Sequence, residues 1–181
     1  MNKSYILGTL GNDRGYLTCS MYVGNKRYMN SKIRGYSTYE SAAYDVKSGG
    51  ISALLVPVAY PKINNLVMDE SLISKEVFIE QIPSLVLIKK SMYCDIKKVE
   101  RIYLHAATNK LLDDIFSERS NVEIIYVDSN IMSCESLIKD NNKNVAAITN
   151  ILCANYYDLH IEKVLRKGVQ MPWVLFEKNG E

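Results

Sequence analysis

The chain has 181 residues, 48% of them hydrophobic and 23% charged, and its 22 Lys and Arg against 20 Asp and Glu leave a formal net charge of +2. That apolar content excludes a disordered chain, the near-neutral balance argues against a nucleic-acid binder with a basic face, and no run reaches the roughly 18 apolar residues of a membrane span. Met1 to Ser4 lead straight into a strand-like segment without a signal peptide, so the expectation is a cytoplasmic protein of one domain or two small lobes.

Tyr5 to Leu7 is a short apolar run that stops at Gly8 and Gly11, as a strand entering a loop does, and Thr9 to Gly15 is polar and glycine-punctuated. Ser37-Thr38-Tyr39-Glu40 reads as a capping box with Ser37 at the cap. Ala42, Ala43 and Val46 give that helix a buried stripe, and Gly49-Gly50 ends it. Ile51 to Tyr60 is mostly apolar without strict alternation, which suits a strand buried on both faces and leaving the sheet near Pro57 and Pro61. Alternation between Glu76 and Lys90 predicts one or two further strands, interrupted at Pro83.

The second half repeats the rhythm. Arg101 to His105 is a strand, and Thr108 is placed to cap a helix whose Leu111, Leu112, Ile115 and Phe116 share a face. Val122 to Val127 is the next strand, Ser129 to Asn142 a short helix, Val145 to Ile148 a strand, and Thr149 the cap of a helix carrying Ile151, Leu152 and Ala154. Ile161 to Leu165 and Trp173 to Phe176 read as final strands. The alternation predicts an α/β fold with largely parallel pairing. Crossings at the polar junctions Lys89 to Glu100 and Arg166 to Gln170 would give a first lobe of about residues 1–90 plus 171–181 and a second of about 92–166. A ligand cleft is expected between them.

Cys19, Cys94, Cys134 and Cys153 form no CxxC pair and read as buried thiols. With His105 and His160 the only histidines, a multi-histidine metal site is not expected. In parallel α/β lobes, ligands gather at the carboxyl ends of strands, where helix N-termini present unpaired N–H groups. Thr9 to Gly15, Ser37 to Ser41, His105 to Thr108 and Ser129 to Ser133 qualify, and together they suit a small anion with several oxygens. Singly, each hydroxyl can serve just as well to cap a helix. Arg14 can pair with a carboxylate, Tyr60 can aim a hydroxyl at a ligand, Glu40 can serve the cap or the ligand, and Trp173 can fill core or cleft wall.

Taken in order, several segments resemble the prephenate dehydratase catalytic domain: Thr9-Leu10-Gly11 with its loop, Tyr39-Glu40-Ser41-Ala42-Ala43, Val56-Pro57-Val58, Ile102-Tyr103-Leu104-His105, Ala146-Ala147-Ile148 and Ala154 to Leu159. The resemblance implies the two-lobed fold of type 2 periplasmic binding proteins. Two departures stand out. Ala59-Tyr60-Pro61 replaces that family's Glu-Asn-Ser, and Pro172-Trp173-Val174 replaces its Thr-Arg-Phe, whose threonine is its proposed acid and whose arginine helps hold substrate. The family's C-terminal regulatory domain, which binds phenylalanine, is expected to be missing. Thr38 to Ala43 and Val58-Ala59-Tyr60 are more similar to the prephenate decarboxylase of bacilysin biosynthesis, which releases carbon dioxide and keeps the ring hydroxyl.

That resemblance implies a cofactor-independent decarboxylase of natural-product biosynthesis with prephenate as its small-molecule substrate and no nucleic-acid or membrane partner. Thr9, Arg14, Ser37, Glu40, Ser41 and Ser129 would hold the carboxylates, and Met171 and Trp173 would form an apolar wall against the leaving one. Tyr60 or His105 would deliver the ring proton, and the sequence leaves both open. A dehydratase giving phenylpyruvate and a non-catalytic carboxylate-binding module are the alternatives. A homodimer is the default assembly.

Overall fold

The computed structural model describes residues 5–11, 17–90, 92–116 and 121–180. They fall into two compact units, Met1–Ile82 with Gln170–Glu181, and Pro83–Val169. The first unit is built from β1 (Ile6–Leu10), α1 (Cys19–Arg27), β2 (Lys32–Tyr36), α2 (Tyr39–Ser48), β3 (Ala53–Pro57), α3 (Ile63–Val67) and β4 (Leu72–Gln81). The second holds β5 (Leu85–Lys89), β6 (Arg101–His105), a 3-10 turn (Ala106–Leu112), α4 (Asp113–Phe116), β7 (Glu123–Val127), α5 (Asn130–Lys139), β8 (Val145–Asn150), α6 (Ile151–Tyr156) and β9 (His160–Arg166). The chain then returns to the first unit as β10 (Gln170–Lys178).

Each unit carries a five-stranded sheet, in the orders β2-β1-β3-β10-β4 and β7-β6-β8-β5-β9. In both, three strands run parallel and the next two pair antiparallel, so the expectation of largely parallel pairing holds for β1, β2, β3 and for β6, β7, β8 but not for β10, β4, β5 and β9. The first crossing lies at Ile82/Pro83 because β5 pairs with β8 and β9. Its five residues are all buried, including Lys89, and each faces a partner strand on either side.

The sequence reasons for the core are simple. Leu54, Val56, Val174 and Phe176 share one face of the first sheet and pack under Ala42, Ala43 and Val46, the apolar stripe of α2. In the second unit, Leu87, Ile102, Leu104, Ala146 and Ile148 form the matching core. Gly49 ends α2 in the left-handed region (φ 79°), where a glycine C-cap meets no Cβ penalty.

Several boundaries differ from expectation. The cap of α2 is Thr38, whose Oγ1 accepts from the Ser41 N–H at 3.1 Å, so Glu40 is one residue short of the capping-box position and Ser37 lies exposed ahead of the helix. His105, not Thr108, caps the 3-10 turn; the Thr108 hydroxyl donates back to the His105 carbonyl at 2.7 Å. Asn150, not Thr149, caps α6, because Thr149 is still inside β8 and buried. The strand at Ile51 to Tyr60 is confined to β3. Neither α1 nor β2 was expected.

Candidate functional site

In a parallel sheet the side chains that follow the last strand residue gather at one edge. In the first unit that edge carries the N-termini of α1 and α2 and the turn after β3. Tyr60 is set there by its N–H donating to the Pro57 carbonyl at 2.9 Å. Its ring leans on that of Tyr39, centroids 4.6 Å apart and tilted by 59°. The Tyr39 hydroxyl shares a 2.8 Å hydrogen bond with Ser20, both residues buried, which ties the first turn of α2 to the first turn of α1.

The Tyr60 hydroxyl donates to Glu40 Oε1 at 2.5 Å, and Lys62 Nζ lies 4.0 Å from the same oxygen. Glu40 can reach because it stands at the second helical position, free of the cap. The Tyr60 hydrogen bond, Glu40's own backbone N–H and Lys62 hold its carboxyl below the usual carboxylate range. Burial, with the hydrogen bond to Glu40 and its charge, pushes the Tyr60 phenol up to about 12. At neutral pH this is a phenol donating to a carboxylate. The Ser41 hydroxyl is within 2.7 Å of Thr38 Oγ1, inside the cap itself.

Three other expected site residues are placed differently. Thr9 is fully buried in β1, and its hydroxyl donates to the Leu55 carbonyl at 2.8 Å, extending the join of β1 to β3 past the end of their backbone pairing. That hydroxyl is committed to the sheet. Trp173 is also fully buried, between Pro57 and Phe78 across the antiparallel ladder, so it is core rather than wall; among the described residues its indole N–H has no acceptor. Met171 is half-buried opposite Glu80. Arg14 lies outside the described residues.

The second unit presents its own carboxyl edge. His105 closes β6, and its Nδ1 accepts from the Ala107 N–H at 3.2 Å, which in the neutral ring leaves the proton on Nε2. Desolvation lowers its pKa, opposed by the nearby Asp128 carboxylate. Ser129 follows β7 and caps α5, its Oγ accepting from the Met132 N–H at 3.2 Å. Asn150 closes β8 and caps α6 through Cys153 N–H at 3.0 Å. His105, Ser129 and Asn150 therefore stand at the ends of three neighbouring parallel strands.

The structure thus joins Tyr60 to Glu40, and places His105 and Ser129 on one edge. Reasoning from sequence missed Ser20, Tyr39, Thr38 and Asn150 as the groups that hold these positions. The signal for Thr38 was present, since a threonine next to a serine offers two possible caps and only backbone register chooses. Among the described residues, no group of three His, Cys, Asp or Glu side chains is arranged to hold a metal ion, and no helix is long and apolar enough to cross a membrane.

A family model described as prephenate dehydratase matches residues 19–171. No curated protein matches in sequence. Among solved structures, a prephenate dehydratase from Arthrobacter aurescens in complex with L-Phe is 16% identical with a TM-score of 0.70, over 97% of this chain and 61% of that one. GqqA, described as a novel type of quorum-quenching acylase, is 14% identical with a TM-score of 0.69, over 97% of this chain and 65% of that one. A periplasmic substrate-binding protein of an ABC transporter from Coxiella burnetii is 16% identical with a TM-score of 0.54, over 94% of this chain and 84% of that one. At such identities the likeness is one of fold, and it makes the chain a two-lobed α/β protein of the periplasmic-binding type. The chain spans 61% and 65% of the length of the first two.

Proposed function

The chain belongs to the prephenate dehydratase family, and from that premise we propose that it decarboxylates prephenate without aromatising the ring, giving a dihydro-4-hydroxyphenylpyruvate for natural-product biosynthesis. The observation that carries this reading is β10. Where the resemblance puts a proton donor and an arginine, the strand holds Pro172, with neither hydroxyl nor N–H, and Trp173, sealed inside the sheet. No acid stands there to expel the ring hydroxyl.

In this reading Arg14 and the helix N-termini at Ser37 to Ser41 and at Ser129 to Ser133, each within its own unit, bind carboxylates. Met171 offers apolar surface beside the leaving carboxylate, with Trp173 as the packing behind it, so that loss as neutral carbon dioxide is favoured. The carbon–carbon bond breaks, its electron pair stays in the ring, and a proton is captured at a ring carbon. The Tyr60 proton is engaged by Glu40, which leaves His105 as the proton donor; it acts as the imidazolium, with the Nδ1 contact to the Ala107 N–H given up, and ends as the neutral ring.

Family membership itself favours the alternative, in which the same electron pair expels the hydroxyl and phenylpyruvate forms. Product analysis separates the two: a hydroxyl-retaining product supports the decarboxylase, and phenylpyruvate supports the dehydratase. Exchange of the ring proton for deuterium should slow strongly in His105→Gln if that residue is the donor.

A further inference from the structure

We propose that Tyr60, its proton held by Glu40, accepts a hydrogen bond from the ring hydroxyl of the ligand and so selects a hydroxyl-retaining outcome, with Glu40 as its positioning residue. The proposal rests on the prephenate reading above and names a specificity determinant within that site. Its basis is the direction of one hydrogen bond. Tyr60 donates to Glu40 at 2.5 Å, and a phenolic oxygen that donates its proton keeps acceptor lone pairs for a second partner. Glu40 is held ionised by Tyr60, its own backbone N–H and Lys62, so it has no proton with which to reverse that direction. The ring cannot swing away cheaply, because it packs on Tyr39, which is tied to Ser20 in the core. Tyr60 is half-buried and Glu40 exposed, so the pair stands where a ligand can reach it.

The chemistry then depends on which way the ring hydroxyl is polarised. Aromatisation breaks the ring C–O bond, and the hydroxyl leaves as water only by taking a proton from a donor. An acceptor for the hydroxyl hydrogen supplies no such proton and shifts electron density onto the oxygen, which makes it a poorer leaving group. The C–O bond then survives, and the pair left by carbon dioxide is captured by a proton at carbon.

Two measurements test this. In calorimetry, the wild-type protein should bind 4-hydroxyphenylpyruvate about tenfold more tightly than phenylpyruvate, the ratio expected of one hydrogen bond of ~1.4 kcal/mol. Tyr60→Phe should remove that preference while keeping the ring that packs on Tyr39. In turnover of prephenate, corrected for a protein-free control, Glu40→Ala frees the Tyr60 proton and should raise the phenylpyruvate fraction severalfold; Glu40→Gln, which keeps an acceptor oxygen, should raise it less. A Tyr60→Phe protein with the full preference, or a Glu40→Ala protein with the wild-type product ratio, overturns the proposal. The two ideas also fail separately. A wild type that retains the hydroxyl while Tyr60→Phe keeps the preference sinks the Tyr60 role alone. One that turns over no prephenate but shows the Tyr60-dependent preference sinks the decarboxylase alone.

Discussion

Replacing Trp173 with Phe sets two opposed effects against each other. The side chain is fully buried on β10 and is the chain's single tryptophan. The smaller ring loses contact area and leaves a gap, which costs about 1–2 kcal/mol. Yet among the described residues the buried indole N–H has no acceptor, and removing such a donor restores about 1–3 kcal/mol. The expected net change is within about 1 kcal/mol, a shift of under ~4 °C in Tm for a chain of this size. That is mild for a wholly buried tryptophan. Trp173→Arg, which restores the residue that the resemblance places there, is expected to lose several kcal/mol instead, since the guanidinium would lie unpaired between Pro57 and Phe78. Urea unfolding followed by far-UV circular dichroism gives both values. A loss of about 3 kcal/mol or more in Trp173→Phe would refute the reasoning, because it would mean that the N–H has a partner worth keeping.

Lys89 is buried in β5, donating to Glu162 at 2.7 Å and to the Cys94 carbonyl at 2.6 Å, while Glu162 is partly exposed. Glu162→Gln should therefore destabilise by about 3 kcal/mol and Lys89→Met by less, because only the first strands a buried charge; equal losses in denaturant titrations would contradict that asymmetry. Thr38→Ala should cost about 1 kcal/mol and Ser37→Ala close to nothing, which exchanges the roles the sequence suggests and can be read from thermal unfolding. Asp140 is held below its ordinary carboxylate range by the Asn142 N–H, then by Tyr103 and Arg101. A depressed native pKa gives stability that is present above the ordinary value and lost as pH falls through the native one. Acid unfolding should therefore depend on Asp140 from near pH 3.8 downward, and Asp140→Asn should flatten the curve there; an unchanged acid limb would remove Asp140 from it.

The parts of the fold legible in sequence were those with uniform burial. The apolar runs of β3 and β8 announce interior strands, the strand β5 comes from the pattern between Glu76 and Lys90, read there as alternation although all five of its residues are buried, and Ala42, Ala43 and Val46 announce α2. The helix α1 escaped because its buried face is Ser20, Met21, Val23 and Gly24, half of it small or polar, so no apolar stripe shows. A Cβ at Gly24 would stand 3.6 and 3.7 Å from Ile33 and Leu55, ordinary contact distances, so the packing there would accept an alanine. The edge strand β2 reads Lys-Ile-Arg-Gly-Tyr and has no fully buried residue. The caps slipped by one residue at Ser37/Thr38 and Thr149/Asn150, where a neighbour can do the same work, and by three at Thr108, whose place His105 takes. The helix expected from Ser129 does start there, with Ser129 as its cap although Asp128 and Asn130 flank it.

The candidate site divided along the same line. Tyr60 and Glu40 were each visible as site residues, but their contact depends on Glu40 lying one place before the cap-bonded Ser41, a matter of register. Thr9 and Trp173 carry the polar groups a ligand would want, and the sheet has used the space around both. A short motif does not show which side of a strand end faces inward.

The most direct test is to incubate the purified protein with prephenate and identify what forms by mass spectrometry and ultraviolet absorbance. The account predicts carbon dioxide release faster than in the protein-free control, with a dihydro-4-hydroxyphenylpyruvate that retains the ring oxygen. Phenylpyruvate as the enzymatic product, or prephenate decaying no faster than in the control, would contradict it.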